Sequence, residues 1–153
     1  METLERVIAE HPFLAGMNAE HTRLLVGCAS NVRYSSGTYV FREGEDANHF
    51  YLIRHGRVAL EIFAPQRKPI VVGTLDEGDV LGWSWLVPPH QWRFNARAAE
   101  TTVAIALDGK CLRAKCDETP ALGYDLLKRF ATVMVHRLEM TRLQLLDLYS
   151  ART

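Results

Sequence analysis

Gly78-Asp79-Val80-Leu81-Gly82-Trp83-Ser84-Trp85-Leu86, followed by Arg93-Phe94-Asn95-Ala96, is the most informative stretch of the chain. A short apolar strand closes at Leu81, and Gly82 opens what reads as a short helical turn. Arg93 comes just before the next strand. Free backbone N–H groups at the start of such a turn, beside a guanidinium, form a place for an anion, phosphate above all. By itself the pattern is weakly specific, because Arg93 is equally able to pair with a carboxylate. Its surroundings decide how it is read.

Outward from this stretch, residues 31–108 have the texture of short strands with turn punctuation. Gly37, Gly44, Gly56, Gly73, Gly78 and Gly82 recur between apolar runs such as Tyr51-Leu52-Ile53 and Val58-Ala59-Leu60-Glu61-Ile62-Phe63. Ala64-Pro65-Gln66-Arg67-Lys68-Pro69 reads as a polar hairpin loop, after which Ile70-Val71-Val72 resumes the sheet. Val103, Ile105 and Leu107 alternate with smaller residues, which predicts a last strand with one buried face. Strands of this length and spacing predict a sandwich or barrel of jelly-roll type.

Helical patterns flank the barrel. Before it, Leu4, Val7 and Ile8 recur at helical spacing until Pro12. Asn18 then reads as an N-cap, with Leu24, Leu25, Cys28 and Ala29 as the apolar stripe of a second helix. After the barrel, Thr119-Pro120 marks a start, Thr at the N-cap and Pro at the first helical position. A helix from Pro120 to Tyr149 would run about 45 Å, more than a barrel of this size covers. Leu127, Ala131, Met134, Leu138, Thr141, Leu145 and Leu148 form a heptad seam on it, which predicts a homodimer through this helix. Leu126, Phe130, Val133 and Met140 form a second stripe, chiefly in the first half, suited to packing on the barrel. The expected architecture is one domain, mainly β with flanking helices: N-terminal helices over 1–30, a double-stranded β-helix (jelly-roll) barrel over 31–108, and C-terminal helices over 109–153.

At this level the chain resembles the cyclic-nucleotide-binding domain of the cAMP receptor protein and fumarate–nitrate regulator superfamily, over nearly its whole length. The likeness rests on Gly37-Thr38-Tyr39-Val40-Phe41-Arg42-Glu43-Gly44-Glu45, on Phe50-Tyr51-Leu52-Ile53-Arg54-His55-Gly56-Arg57-Val58, similar to Y-x-I-x-x-G-x-V, and on Gly78-Asp79-Val80-Leu81-Gly82, similar to the G-D-x-F/I-G that opens the family's phosphate-binding cassette. The resemblance implies a ligand-responsive sensor or regulatory module whose signal passes through the long helix. It makes Gly82, Trp83, Ser84, Trp85, Arg93, Phe94 and Asn95 the candidate ligand-binding residues, with a cyclic nucleotide or other small anionic ligand as occupant. It adds Thr141, since hydroxyl residues of the family's dimer helix contact the nucleotide base; a neutral heptad position is the plainer reading of that threonine.

The departures bear on the ligand. Where cAMP-binding members place a Glu for the ribose hydroxyl, this chain has Trp83. Where the arginine is followed by Ser or Thr and then Ala, it has Phe94 and Asn95. A lost charged hydrogen bond to a ligand hydroxyl costs about 1.5–3 kcal/mol. Three readings fit the rings of Trp83, Trp85, Trp92 and Phe94: a collapsed pocket that completes the core, an altered pocket that stacks a planar ligand whose acid group Arg93 holds, and ordinary nucleotide binding through substitute contacts. With a collapsed pocket the chain is a protein-interaction module.

Composition narrows the classes. The chain has 153 residues, 48% hydrophobic and 24% charged, with formal net charge zero, so no overall field draws it to nucleic acid or anionic membrane. No apolar run approaches the roughly 20 residues that span a bilayer. The acidic start Met1-Glu2-Thr3-Leu4-Glu5-Arg6 is unlike a signal peptide, which points to the cytoplasm. The three cysteines, Cys28, Cys111 and Cys116, show no metal-type pairing and read as buried free thiols. Catalysis is not expected: there is no Gly-x-Ser-x-Gly, Walker loop or His-Glu-x-x-His, and no His-x-His pair for a metal cupin. His49 and His55 share one hairpin, while His11, His21, His90 and His136 belong to helices or loops. Only Ser150-Ala151-Arg152-Thr153 follow the long helix, too little for the helix-turn-helix of DNA-binding relatives, so no direct DNA contact is expected. A shortened transcription regulator is the alternative.

Overall fold

Eight strands form two four-stranded antiparallel sheets, described by a computed structural model that covers residues 3–151. Met1 and Glu2 of the acidic start, and Arg152 and Thr153 of the tail, lie outside the described residues. One sheet has the order β1 (Ala29–Tyr34), β8 (Thr102–Asp108), β3 (His49–His55), β6 (Val80–Leu81); the other has β2 (Tyr39–Phe41), β7 (Asn95–Ala98), β4 (Arg57–Ile62), β5 (Ile70–Asp76). The chain changes sheet at every step except the β4–β5 hairpin and so closes as a jelly roll, the mainly β fold expected. The polar loop of that hairpin falls where the sequence places it.

Strand β8 departs from expectation in an informative way. It pairs with β1 on one side and β3 on the other and is buried on both faces, not one. Ile105 and Leu107 join a core with Phe50, Leu52, Trp85, Leu112, Leu126 and Phe130 beneath the helices. Ala104 and Ala106 face the barrel interior, with Phe41, Tyr51, Ile53 and Trp92. These small residues leave room in the barrel interior for the large rings of the same cluster, Phe41 of the opposite sheet and Trp92 of the cassette loop.

Capping positions the N-terminal segment. Helix α1 (Leu4–Glu10) begins at Thr3, whose hydroxyl accepts from the Arg6 N–H, and α2 (Ala19–Val26) at Asn18, whose side chain accepts from His21 N at 2.8 Å. Between them a 3-10 turn, Pro12–Leu14, is capped by His11, whose Nδ1 accepts from Phe13 N while Nε2 donates to the Ile53 carbonyl. Cys28 and Ala29 are not the end of α2 as their spacing suggests; β1 already begins at Ala29. The free-thiol reading also fails for two of the three cysteines: Cys28 and Cys111 form a disulfide, and Cys116 alone is free. Spacing along the chain could not reveal that the α2–β1 junction and the start of α3 (Gly109–Glu118) meet.

Helix α4 (Pro120–Ser150) carries Pro at its first position, although the Thr119 hydroxyl makes no capping bond. Leu122, Leu126 and Phe130 are buried and Val133 is packed against the core, so the barrel-facing stripe ends near there. Met140, expected in that stripe, is exposed. Leu127, Met134, Leu138, Leu145 and Leu148 are 40% to 65% exposed, an apolar seam that the chain itself leaves uncovered. Phe130 anchors α4: its ring meets Phe13 at 4.8 Å, Phe50 at 5.2 Å and Trp85 at 5.8 Å. Phe130→Ala is expected to remove about 3–5 kcal/mol of stability, read from the urea midpoint.

Burial lowers the pKa of His11 below its usual 6.5, with the Ile53 carbonyl and Asp79 opposing. The folded state therefore favours the neutral ring. Its contribution is present above about pH 6.5 and is lost as pH falls through the lowered folded-state value. His11→Asn, which keeps an acceptor for Phe13 N, is expected to fall less steeply in stability between pH 7 and 5 in denaturant titrations.

Candidate functional site

The cassette segment is shaped by backbone geometry rather than by a helix. Gly78 and Gly82 have φ of +89° and +96°, values that favour glycine. Asp79 accepts from Asp76 N at 2.8 Å, and β3 and β6 are tied together by Ile53 N to Asp79 O and Gly78 N to Ile53 O, both 3.0 Å. After Leu81 the expected helical opening is only a reverse turn, closed by Leu86 N to Trp83 O at 3.0 Å. Among the described residues the N–H groups of Trp83, Ser84 and Trp85 make no bond, so this turn keeps a short row of free donors without a helix behind it.

The two tryptophans that bracket this loop go to opposite sides of the sheet. Trp85 is fully buried among the helices, 5.1 Å from the Phe50 ring, with its carbonyl accepting from Arg113. It belongs to the core beneath the helices rather than to the barrel interior. Trp92 turns into the barrel and stacks on Phe41, ring centroids 3.6 Å apart and planes within 5°. It also lies on Gly82 so closely that a Cβ there would sit 2.6 Å from the indole. Phe94 tilts against Phe41 at 5.5 Å and Trp83 at 6.1 Å, which extends the run of rings. Ser84 is buried in the turn.

The remaining candidates do not gather around an anion. Arg93 is exposed, and among the described residues it has no hydrogen bond or ion pair. The expected pairing of its guanidinium with turn amides is thus absent. Asn95 is buried, but its side-chain oxygen accepts from Glu43 N at 2.7 Å, a support for the β2–β3 connection, while its Nδ2 has no partner. Thr141 is exposed, and its hydroxyl donates to the Arg137 carbonyl one turn back, away from the cassette.

The helix residue that does reach the cassette is Arg137. Its Nη2 donates to the Val80 carbonyl, its guanidinium lies 5.4 Å from the Trp83 ring centroid, and its Nη1 is buried without a partner. Burial lowers its pKa from the usual guanidinium value, and the Asp79 carboxylate partly restores it. Arg137 borders a cleft of about 310 Å³ outside the barrel, together with Phe13, Asp79, Val80 and Val133. A sequence signal existed. Position 137 continues the 126, 130, 133 rhythm of the barrel-facing stripe, and an arginine on that face has to meet something.

Other chemistry is sparse. His49 and His55 join no metal set; among the described residues no three His, Cys, Asp or Glu side chains converge. Among the same residues no helix is long and apolar enough to cross a membrane.

A barrel of this topology with a Gly-Asp-x-x-Gly turn beneath a long helix defines a cyclic-nucleotide-binding-type module. Residues 31–119 match the cyclic nucleotide-binding domain family, and the chain belongs to it. It is similar to the CRP-like cAMP-activated global transcriptional regulator of Mycobacterium tuberculosis, 23% identical over 145 residues that make up 95% of this chain and 63% of that protein. The chain thus spans about 63% of the length of the curated relatives it matches. A cyclic nucleotide-binding domain from Methylobacillus flagellatus superposes with a TM-score of 0.81 at 17% identity, covering 94% of this chain and 83% of that one. The Thermus thermophilus catabolite activator protein gives 0.68 at 25% identity, covering 91% and 63%.

The contact of Trp92 with Gly82 is testable by comparison with Gly37, whose φ of +89° is close to the +96° of Gly82 but which has nothing near its would-be Cβ. Gly37→Ala bears backbone strain alone, whereas Gly82→Ala is expected to lose about 1–3 kcal/mol more in urea titrations. Adding Trp92→Leu is expected to recover that extra loss.

Proposed function

We propose that this chain is a homodimeric cytoplasmic regulatory module whose cassette is closed by its own side chains, and which acts through contacts of α4 with protein partners rather than by catalysis. The observation that carries this reading is Trp92, flat on Phe41 and over Gly82. A phosphate approaching the turn amides would meet the indole first. A cyclic nucleotide also fits poorly on chemical grounds: Trp83 offers its ribose no carboxylate, Phe94 offers its phosphate no hydroxyl, and Arg93 stands in solvent.

The route from barrel to helix then runs through Arg137. A half-buried guanidinium bonded to the Val80 carbonyl and lying against Trp83 couples the position of α4 to the shape of the cassette turn. Any change in that turn alters the register of the seam residues Leu127, Met134, Leu138, Leu145 and Leu148. The seam is apolar at heptad spacing, which suits a second copy of the same helix.

Calorimetric titration with cAMP and cGMP is expected to give no saturable heat at micromolar ligand. Micromolar binding that disappears in Arg93→Ala would show that the rings yield to nucleotide and would overturn the closed cassette. In light scattering the protein is expected at twice the chain mass, and the Met134→Glu, Leu138→Glu double variant at the single-chain mass. A dimer that survives both substitutions rules out the seam.

A further inference from the structure

Cys28 and Cys111 are bonded across 83 residues of chain, at a junction with mechanical leverage. Cys111 lies in the first turn of α3, where the Asp108 carboxylate caps its N–H at 2.9 Å. The rest of that helix is wedged against the signalling elements. Gly109 fits under Trp85 so tightly that a Cβ would fall 3.0 Å from the Trp85 Cβ, and Arg113 donates to the Trp85 carbonyl. Leu112 is fully buried in the core, and Cys116 packs on Gly123 of α4 with 3.2 Å to a would-be Cβ. One side-chain bond therefore fastens to the α2–β1 junction the helix that touches both the cassette turn and the base of α4.

The surroundings of the bond suit reversible chemistry. Cys28 is buried, whereas Cys111 is only half-buried and its sulfur lies 4.0 Å from the carbonyl of exposed Gly27. The Lys115 ammonium sits over Gly27, and Lys110 and Arg113 flank Cys111 in sequence; Asp108 is the carboxylate beside it. Nearby cations and the first turn of a helix stabilise thiolates, which makes a sulfur a better leaving group and a better nucleophile at neutral pH. Cys116, the remaining thiol, is held in its protonated form by burial and by Asp117, so it does not compete.

We propose that Cys28–Cys111 is a reversible thiol–disulfide switch, worked by small cellular thiols, that sets how firmly α3 clamps the cassette turn and the base of α4. In the opening direction, an external thiolate attacks Cys111 Sγ and forms a mixed disulfide, while the bond to Cys28 breaks and the Cys28 sulfur leaves as a thiolate that takes up a proton. A second external thiolate attacks the outer sulfur of the mixed disulfide, releases the oxidised small-molecule disulfide and leaves Cys111 as a thiolate that is protonated in turn. Two external thiols are oxidised for each protein disulfide reduced. The backbone bond from Asp108 N to Cys28 O, 2.9 Å, survives reduction, so the barrel stays folded and the change is confined to α3 and what it touches.

The test uses the full chain in glutathione buffers that span cellular redox poise, quenched by alkylation and weighed by mass spectrometry. The expected result is interconversion within that range. In the reduced state, amide exchange over 109–119 is expected to rise roughly tenfold or more while β3 and β8 are unchanged. Cys111→Ser should show the reduced pattern in every buffer, and Cys116→Ser should respond like the wild type. A bond that persists at the most reducing poise, or one that never forms at the most oxidising, overturns the proposal. So does exchange over 109–119 that is equal in the two states, which can be read on the wild-type chain even if a variant folds poorly.

Discussion

Burial of β8 on both faces is the constraint from which the rest of the architecture follows. A strand covered on two sides needs two different partners, and its composition assigns them: Ile105 and Leu107 to the helices, Ala104 and Ala106 to the barrel interior. The alanines leave depth in the barrel interior, where Phe41 of the facing sheet and Trp92 of the cassette loop form a parallel stack. The isoleucine and leucine demand a lid, which α1, α2, α3 and the first half of α4 supply. Without the small residues the interior rings would not fit; without the large ones the helices would have nothing to cover.

That division explains how a segment only a few residues long serves two cores. Trp85 and Trp92 leave the same loop and end on opposite sides of the sheet that contains β6, so the loop is pinned from above and below. A phosphate-binding turn in this fold works by presenting backbone N–H groups to an incoming anion. Here the Trp92 indole lies over Gly82, and the loop packs on both the barrel interior and the core beneath the helices. Arg137 of α4 meets the same segment through its bond to the Val80 carbonyl and its place beside Trp83.

What the sequence made legible was local. Asn18 and Pro120 mark helix starts because capping and ring geometry act within one turn. The β4–β5 loop shows in its prolines, and the seam of α4 in its heptads. What it hid depends on residues far apart in the chain. The Cys28–Cys111 bond needs the α2–β1 junction laid against α3, and no spacing rule supplies that. The Trp92–Phe41 stack joins β2 to the cassette loop, so Trp92 reads only as one more ring near Arg93. The stripe of α4 pointed to Met140, but the helix leaves the barrel before that residue, and the turn in contact with the cassette carries Arg137. Thr141 lies one turn farther along and bonds within the helix.

The departure of α4 from the barrel has a consequence for how the molecule is populated. Beyond Arg137 the large apolar side chains of α4 are exposed, Leu138, Leu143, Leu145, Leu146 and Leu148 by 53% to 65%, and isolated helical segments of that length are marginal in water. In the proposed dimer the order of this stretch would be a function of how many copies are present. These last turns would fray when the protein is scarce and zip together when it is abundant. By mass action the abundance of the protein would then be an input to its own shape.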